Sequence, residues 1–234
     1  MNIAGLQKLS MVDYPGHLAC TVFLGGCNLR CPFCHNSELV GPVTPVMGTD
    51  ELLAFLDSRA GLLDGVCVTG GEPCVHADLP ELLRTIRGRA SMDIKLDTNG
   101  LVPDVLEAAL ATGAVDYVAV DIKNDPERYA MTCGVNRADL DALRRSLRML
   151  RDSGVGYELR TTVMEPYHDE ASFAGIAQFL TETGVTPVPA FYLQPFVDRE
   201  TVPDHTLQPP SDALLEAAAC ELARVCDSVE VRGR

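Results

Sequence analysis

Short apolar segments alternate along the chain with longer segments in which apolar residues recur every third or fourth position. The short segments are rich in β-branched and aromatic residues and predict six strands, at 18–24, 65–69, 92–97, 116–122, 156–163 and 189–194. The longer segments predict helices at 49–60, 78–89, 103–112, 137–153, 169–183 and 211–226. Thr49, Pro103 and Ser211 carry side chains that favour helix starts, and residues 229–233 are compatible with a last short strand.

This alternation predicts the fold class. Parallel strands joined through helices need crossover connections, and these are right-handed. We therefore expect an α/β fold with parallel strands, although periodicity does not distinguish an open sheet from a barrel. Because no repeat or linker divides it, residues 1–234 are expected to form a single domain, with a core at about 18–196 and a helical and loop extension at 197–234. The proline-rich stretch 195–210 is interpreted as a surface loop.

Composition narrows the class of partner. The chain is 47% hydrophobic and 22% charged, as in ordinary globular proteins. Its formal net charge of −14 argues against broad nucleic-acid binding, which needs a basic surface to neutralise phosphates. No apolar run is long enough to span a bilayer, and the N-terminal residues lack the pattern of a secretory signal. We therefore expect a cytoplasmic protein without a membrane partner.

Three of the nine cysteines lie within eight residues. Cys27, Cys31 and Cys34 form the pattern Cys-x-x-x-Cys-x-x-Cys directly after the first predicted strand. Thiolates are the usual ligands of iron–sulfur clusters, and three of them leave the fourth iron of a cubane open to another ligand. Two alternatives remain at this point. A structural zinc site could use His35 or His17 as its fourth ligand, or the three thiols could simply be buried.

The remaining cysteines and two loop histidines are given ordinary roles. Free cysteine behaves as a small apolar residue, and this is the expectation for Cys20, Cys67 and Cys220. The most dispersed thiols lie too far apart in sequence to predict a second cluster; they are Cys133, Cys220 and Cys226. His168 and His205 fall in predicted loops, where a lone histidine is usually solvated.

Polar or glycine-rich sequences recur where the predicted strands end. They are Thr69-Gly70-Gly71-Glu72-Pro73, Asp97-Thr98-Asn99-Gly100, the pair Asp121 and Lys123, Arg160, and Gln194. Any one of these sequences could be an ordinary turn. In parallel α/β folds, however, the carboxyl ends of the strands form the face that binds ligands. Their common position therefore predicts one site at that face.

With these residues in place, the chain resembles the radical S-adenosylmethionine (SAM) superfamily, and within it the activating enzymes of glycyl radical enzymes. The cysteine triplet, GGEP, DTNG and DIK occur in the family's order over about residues 18–196. The opening GLQKLSMVDYPG and the string CPFCHN look most like the activating proteins of anaerobic ribonucleoside-triphosphate reductase. The resemblance implies a partial (β/α)6 TIM-like barrel, with one 4Fe–4S cluster on Cys27, Cys31 and Cys34.

The resemblance also implies the reaction and the residues of the pocket. SAM would be cleaved reductively to methionine and a 5′-deoxyadenosyl radical, which abstracts hydrogen from a glycine of a partner enzyme. Phe33 would lie against adenine, and Gly70, Gly71 and Glu72 would contact the methionine end. Asp121 and Lys123 would line the cofactor pocket, and Arg160 would lie near the methionine carboxylate. A monovalent cation, as held in one branch of the family, would take Asp97, Thr98, the carbonyl of Ala119 and Asp121.

The implied partners are a glycyl radical enzyme, first of all anaerobic ribonucleotide reductase, and a low-potential electron donor such as flavodoxin or ferredoxin. One alternative keeps the radical chemistry on a small molecule, as in 7-carboxy-7-deazaguanine synthase. Another is a zinc or iron–sulfur protein with a structural or electron-transfer role. One departure from the family pattern is Cys74, which follows GGEP where the family has a residue such as Thr. This thiol is expected to be either an idle neighbour of the cluster or a redox participant.

Overall fold

The computed structural model describes residues 1–233, which form one eight-stranded sheet with helices along it. The strands, in spatial as in chain order, are β1 (Ile3–Ser10), β2 (Ala19–Leu24), β3 (Gly65–Gly70), β4 (Asp93–Thr98), β5 (Tyr117–Asp121), β6 (Gly156–Val163), β7 (Phe191–Pro195) and β8 (Val229–Val231). The helices are α1 (Thr49–Ser58), α2 (Leu79–Arg89), α3 (Pro103–Leu110), α4 (Tyr129–Thr132), α5 (Leu140–Ser153), α6 (Glu170–Thr183) and α7 (Asp212–Leu222).

Strands β2 to β8 are parallel, and each pairs with the next along the chain. This confirms the predicted α/β fold and its six central strands, and the final strand covers Val229–Val231. The arrangement is that of a partial TIM-like barrel. The sequence analysis did not predict β1, which pairs antiparallel with β2 at the sheet edge. Strand β1 is partly or fully exposed along most of its length, and Gln7 and Lys8 interrupt its apolar residues, so it lacks the apolar run that marked the other strands.

On β4 and β6, most apolar residues face the helices, and charged residues face the barrel interior. On β4, Ile94 and Leu96 are fully buried in the apolar core, whereas Asp97 lines the interior cavity. Arg160 on β6 likewise lines the cavity, between the buried residues Leu159 and Thr161. Because side chains alternate along a strand, a polar interior follows directly from the spacing of these residues.

Helices begin at or next to all three predicted start residues. Pro103 is the first residue of α3, and the Ser211 hydroxyl accepts a hydrogen bond of 3.3 Å from the Leu214 N–H at the start of α7. At α1 the prediction was wrong about the cap. Thr49 is the first helical residue, and the Glu51 carboxylate instead accepts from the N–H of Gly48 at 2.8 Å.

Residues 197–233 continue the α/β alternation with α7 and β8. Helix α7 packs on α6, and β8 extends the sheet beyond β7. Arg232, just after β8, forms two hydrogen bonds with the buried Glu158 carboxylate, at 2.7 and 2.9 Å. The C-terminal segment therefore supplies a charge to the barrel interior. No helix within residues 1–233 has the length and apolar character to cross a membrane.

Candidate active site

A cavity of about 360 Å³ opens at the carboxyl ends of the strands. It brings together the three cysteines of the triplet and every residue predicted to bind the cofactor. Its lining includes Cys27, Cys31, Cys34, Phe33, Gly70, Gly71, Glu72, Asp97, Thr98, Asp121, Lys123 and Arg160. Ala119, predicted to offer its carbonyl to a cation, is fully buried and does not line the cavity. The convergence of so many separate loops makes this cavity the candidate active site.

The cysteine triplet lies in the loop that follows β2. Cys31 is buried, while Cys27 and Cys34 are partly exposed. The N–H of Leu29 donates to the Cys27 sulfur at 3.4 Å, so the loop backbone already points a donor at a thiol. Burial raises the pKa of Cys27 to about 11. For Cys31, a hydrogen bond with Cys133 outweighs burial and lowers the pKa to about 7.

Cys133 lies next to the triplet in the fold, although it is far from it in sequence. It directly follows α4, and its carbonyl accepts a hydrogen bond from the Arg30 N–H at 2.9 Å. Gly134 has a φ of +64°, and a Cβ there would lie 2.0 Å from the Arg30 carbonyl oxygen. The segment after α4 therefore packs directly on the cysteine loop. The position of Cys133 in the sequence gave no sign of this contact, and the contact does not make a second cluster.

The thiols suit a cluster better than a single metal ion. Within residues 1–233, no three His, Cys, Asp or Glu side chains converge on a point that could hold one ion. A structural zinc site needs four ligands around one centre, whereas each thiolate of a 4Fe–4S cubane binds a different iron. The three thiols of the triplet line one cavity, so each can bind a different iron of a cubane and leave the fourth iron open.

Both glycines of the GGEP loop are required by the close approach of two backbones. The Gly71 N–H donates to the Leu24 carbonyl at 2.8 Å, and the Glu72 N–H donates to the Gly26 carbonyl at 2.8 Å. A Cβ on Gly70 or on Gly71 would lie 2.2 Å from a carbonyl oxygen of the cysteine loop or the end of β2. The glycines therefore hold this loop against the cysteine loop.

Glu72 joins the GGEP loop to the DTNG loop. Its carboxylate accepts hydrogen bonds from the Thr98 hydroxyl at 2.7 Å, the Asn99 N–H at 2.6 Å and the Cys74 N–H at 2.9 Å. Burial raises the pKa of Glu72, although these three donors oppose the rise. Since both carboxylate oxygens are engaged within the protein, the visible role of Glu72 is to fix the relative position of the two loops.

A cluster of five charged side chains lies below the cysteines, on three neighbouring strands and the loop after β5. Arg160 donates to Asp97 at 3.1 Å and to Asp121 at 2.9 Å, so its guanidinium bridges the two carboxylates. Lys123 donates to the other oxygen of Asp121 at 2.9 Å. Lys95 forms an ion pair with the other oxygen of Asp97. We call these residues the charged cluster (Lys95, Asp97, Asp121, Lys123 and Arg160).

Lys95 was missed by the sequence analysis, although its position carried a signal. Lys95 and Asp97 are two residues apart on β4, so their side chains lie on the same face of the strand. Because the neighbouring Ile94 and Leu96 face the core, Lys95 must face the barrel interior. Burial alone would raise the pKa values of Asp97 and Asp121, but the neighbouring cations hold both below their usual range. Lys123 also lies over the Phe33 ring, 5.7 Å from its centroid, and so connects the charged cluster to the predicted adenine contact.

The proline-rich segment after β7 is more than a surface loop. We call residues 196–208 the rim segment. The Thr201 hydroxyl donates to the His35 carbonyl at 2.7 Å, and the Asp204 N–H donates to the Pro32 carbonyl at 3.0 Å. Phe196 is fully buried and stacks on His35 with 5.9 Å between ring centroids. The rim segment therefore supports the cysteine loop from outside, which a prediction based on proline content did not foresee.

The burial expected for the remaining histidines and cysteines is confirmed for some of them and wrong for others. His168 is buried and bonded through Nε2 to the Lys123 carbonyl at 3.0 Å, so the expectation of a solvated histidine was wrong. His205 is exposed, as expected, beside Asp198. Cys20 and Cys67 are buried as predicted, whereas Cys220 is exposed, contrary to expectation. Cys74 is fully buried in the apolar core behind the GGEP loop.

Comparison with known proteins identifies the family. The sequence profile of the Radical SAM superfamily matches residues 21–180, which include the cysteine loop and all the positions predicted to bind the cofactor. The chain belongs to this superfamily. Membership implies a 4Fe–4S cluster and SAM as cofactors, and the donor set of the cavity fits both. In the described structure, the cluster would bind through Cys27, Cys31 and Cys34.

Individual relatives are more distant. A protein of Methanocaldococcus jannaschii, provisionally named a glycyl-radical enzyme activating enzyme, is 26% identical over 85% of this chain and 83% of its own length. A protein of Pyrococcus abyssi, provisionally named a GTP 3′,8-cyclase, is 33% identical, but the match covers only 48% of this chain and 37% of the cyclase.

Solved structures show the same fold. A domain of a pyruvate-formate lyase-activating enzyme from Bacteroides vulgatus has a TM-score of 0.57 at 19% identity, over 72% of this chain and 99% of that domain. Streptococcus suis SuiB bound to S-adenosylmethionine has a TM-score of 0.67 at 14% identity, over 89% of this chain and 48% of SuiB. At these identities the structures establish the barrel and not the substrate.

Proposed function

We propose that the protein is a radical SAM activase, which abstracts hydrogen from a glycine of a partner glycyl radical enzyme. The observation that carries the proposal is the meeting of three thiols, the GGEP loop and the charged cluster in one cavity. The M. jannaschii relative supports an activating role, because its similarity extends over most of both chains. Anaerobic ribonucleotide reductase is the first partner to test, on the strength of the N-terminal and CPFCHN sequences.

The chain's own residues would bind and orient the cofactors. The cluster, together with an electron from a low-potential donor such as flavodoxin or ferredoxin, supplies the reductive cleavage of SAM to a 5′-deoxyadenosyl radical. Phe33, whose ring is buried beneath Lys123, offers an apolar face to adenine. The cations Lys123 and Arg160 offer charge to the methionine carboxylate. Gly70 and Gly71 hold the GGEP loop, which lines the cavity, against β2 and the cysteine loop.

The size of the cavity favours a macromolecular substrate over the small-molecule alternative. At about 360 Å³, it lies at the low end of ligand pockets, which run from ~300 to ~1,000 Å³. A cofactor with an adenosyl and a methionyl part would fill most of it. The hydrogen donor would then approach from outside the rim, as a loop of a partner protein can.

The first experiment is electron paramagnetic resonance of the anaerobically reconstituted and reduced protein, with and without SAM. We expect a reduced 4Fe–4S signal that changes on addition of SAM, together with 5′-deoxyadenosine and methionine among the products. Addition of the reductase should then give a glycine radical signal. Cys220→Ala is a matched control, because this thiol is exposed and distant in sequence from the triplet.

The outcomes separate the hypotheses. A cluster signal indifferent to SAM would contradict radical SAM chemistry and favour a structural or electron-transfer protein. SAM cleavage without a glycine radical in any candidate partner would contradict the activase. In that case small molecules become the substrates to test, beginning with the precursor of 7-carboxy-7-deazaguanine.

A further inference from the structure

Lys95 is a buried cation for which the proposed function has no use. Its side chain is 1% exposed, and it faces the barrel interior below the cavity. Its partners are Asp97, with which it forms an ion pair, and the Cys67 sulfur at 4.0 Å. Burying an ammonium group costs free energy unless a nearby anion offsets the loss of hydration. A lysine retained here therefore calls for an explanation in terms of Asp97.

The two aspartates of the charged cluster have all four carboxylate oxygens engaged by protein cations. On Asp97, Oδ1 meets Lys95 and Oδ2 accepts from Arg160 at 3.1 Å. On Asp121, Oδ1 accepts from the Nε of Arg160 at 2.9 Å and Oδ2 from Lys123 at 2.9 Å. Each oxygen thus has its own cationic donor, and the guanidinium of Arg160 occupies the space between the two carboxylates.

Thr98, the third side chain predicted to hold a monovalent cation, also has its oxygen committed. Its hydroxyl donates to Glu72 at 2.7 Å and accepts from the Gly100 N–H at 3.1 Å. The predicted cation ligands Asp97, Thr98 and Asp121 are therefore all bonded within the protein. They do not fit an additional sodium or potassium ion.

The charge balance leads to the same result. Three cations of the charged cluster face two carboxylates, which leaves one net positive charge before any ligand binds. Another cation among them would be repelled, and the repulsion is strong where water is largely excluded. One negative charge, such as the carboxylate of an amino-acid ligand, would instead bring the cluster to neutrality.

We propose that Lys95 replaces a bound monovalent cation in this protein. By neutralising Asp97, Lys95 leaves Arg160 free to bridge the two carboxylates, and the pocket keeps one positive charge for the methionine carboxylate of SAM. Lys95 is a positioning residue, since it acts through Asp97. The part that names SAM rests on the proposed function, whereas the part that names the cation rests on the charged cluster alone.

The test begins with the unmodified, reconstituted protein. Its thermal midpoint is measured in sodium, potassium and tetramethylammonium chloride at equal ionic strength, because tetramethylammonium is too large for an alkali-ion site. We expect the same midpoint in all three salts, and SAM affinities within about twofold of one another, a difference below 1 kcal/mol. A midpoint or an affinity that rises selectively with sodium or potassium would overturn the proposal.

Lys95→Met tests the replacement directly, with Lys8→Met, an exposed lysine, as the matched control. In tetramethylammonium, Lys95→Met should have a lower midpoint and bind SAM about tenfold more weakly, or 1.4 kcal/mol. Sodium or potassium should restore part of both, while Lys8→Met should match the unmodified protein in every salt. If no alkali cation restores Lys95→Met, Lys95 has a packing role and the proposal fails.

Two further measurements keep the test decisive. Lys95→Arg retains the charge and should stay indifferent to alkali cations even if Lys95→Met does not fold. Thallium(I), a spectroscopic substitute for potassium, should bind Lys95→Met but not the unmodified protein in a nuclear magnetic resonance titration. Neither measurement requires SAM cleavage or a partner enzyme. Failure of the proposed activase function would therefore leave the cation result standing, and the converse also holds.

Discussion

At the scale of single residues, the site depends on a glycine whose lack of a side chain lets two loops come into contact. A Cβ atom at position 71 would lie 2.2 Å from the Gly26 carbonyl oxygen and 3.2 Å from that of Leu39. Both neighbours are backbone atoms and cannot move aside as a flexible side chain would. The contact between the GGEP loop and the cysteine loop therefore requires glycine at this position.

Gly71→Ala should destabilise the fold by about 2 kcal/mol or more and lower the iron content after reconstitution, because the two loops must separate. Gly88→Ala is the matched control. Gly88 lies in α2, where an added Cβ would meet no atom within 4 Å, and alanine there should stabilise the helix by about 0.5–1 kcal/mol. Urea unfolding and iron analysis measure both variants. Equal behaviour of the two would contradict the close-packing explanation.

Cys133 distinguishes an open cluster from a closed one. It contacts Cys31, so four thiols meet near the cysteine loop. If the triplet alone holds the cluster, Cys133→Ala should retain its full iron content, while Cys31→Ala should lose most of it. Iron and sulfide analysis after anaerobic reconstitution decides the question. Loss of the cluster in Cys133→Ala would identify a fourth ligand, and a cluster with four protein ligands has no open iron for SAM.

Site residues could be predicted from the sequence where their loop or strand end already determines their position. The three cysteines share one loop, and the polar residues at strand ends share one face of the sheet, so topology alone brings them together. Cys133 could not be found in this way, because its contact with Cys31 depends on how the segment after α4 packs. Lys95 could have been found, since its parity with Asp97 on β4 requires an interior position.

At the scale of elements, the rim segment supports the cysteine loop from outside. The Thr201 hydroxyl bonds the His35 carbonyl at 2.7 Å, and the segment buries Phe196 and Val202. Its prolines marked the end of a strand and suggested a loop, but proline content does not say which surface a loop covers. The predicted strands were recovered because each has an apolar side facing the helices. Strand β1, half-exposed at the sheet edge, has no such pattern.

Thr201→Val should loosen the cysteine loop without unfolding the protein, because it removes one hydrogen bond worth about 1 kcal/mol. Hydrogen exchange of residues 26–36 should speed up, and the cluster should be lost faster in air. Thr85→Val is the control, since the Thr85 hydroxyl bonds a carbonyl within α2, on the outside of the barrel. Unchanged exchange at 26–36 in Thr201→Val would show that the rim segment does not support that loop.

At the scale of the whole molecule, the barrel is held by apolar packing outside the sheet and by paired charges inside it. The charged cluster occupies the upper part of the interior, and all its members except Lys95 line the cavity. Glu158, 1% exposed, lies deeper and is paired with Arg232 from the C-terminal segment. Arg232 also stacks on the Tyr192 ring, 3.1 Å from its centroid. A residue near the end of the chain therefore completes the charge pairing of the interior.

Removing Arg232 should consequently affect global stability. Arg232→Ala leaves the Glu158 carboxylate buried, with the Tyr117 hydroxyl at 3.2 Å as its remaining hydrogen-bond partner. Loss of one partner of a fully buried pair costs about 3–5 kcal/mol, and because Arg232 is partly exposed we expect about 2–3 kcal/mol here. The measurement is the free energy of unfolding in urea, in the reconstituted protein.

Arg224→Ala provides the comparison for that loss. Arg224 pairs with Glu221 on the surface of the same C-terminal segment, with its own side chain 70% exposed, and such pairs contribute about 0–1 kcal/mol. Both variants remove one arginine, so the change in net charge is identical. If the two variants lost the same free energy of unfolding, the pairing of Arg232 with Glu158 would not stabilise the barrel interior. A larger loss of stability in Arg232→Ala, with SAM binding retained, would indicate that the pair of Glu158 and Arg232 stabilises the fold. The charged cluster above it would then serve ligand binding.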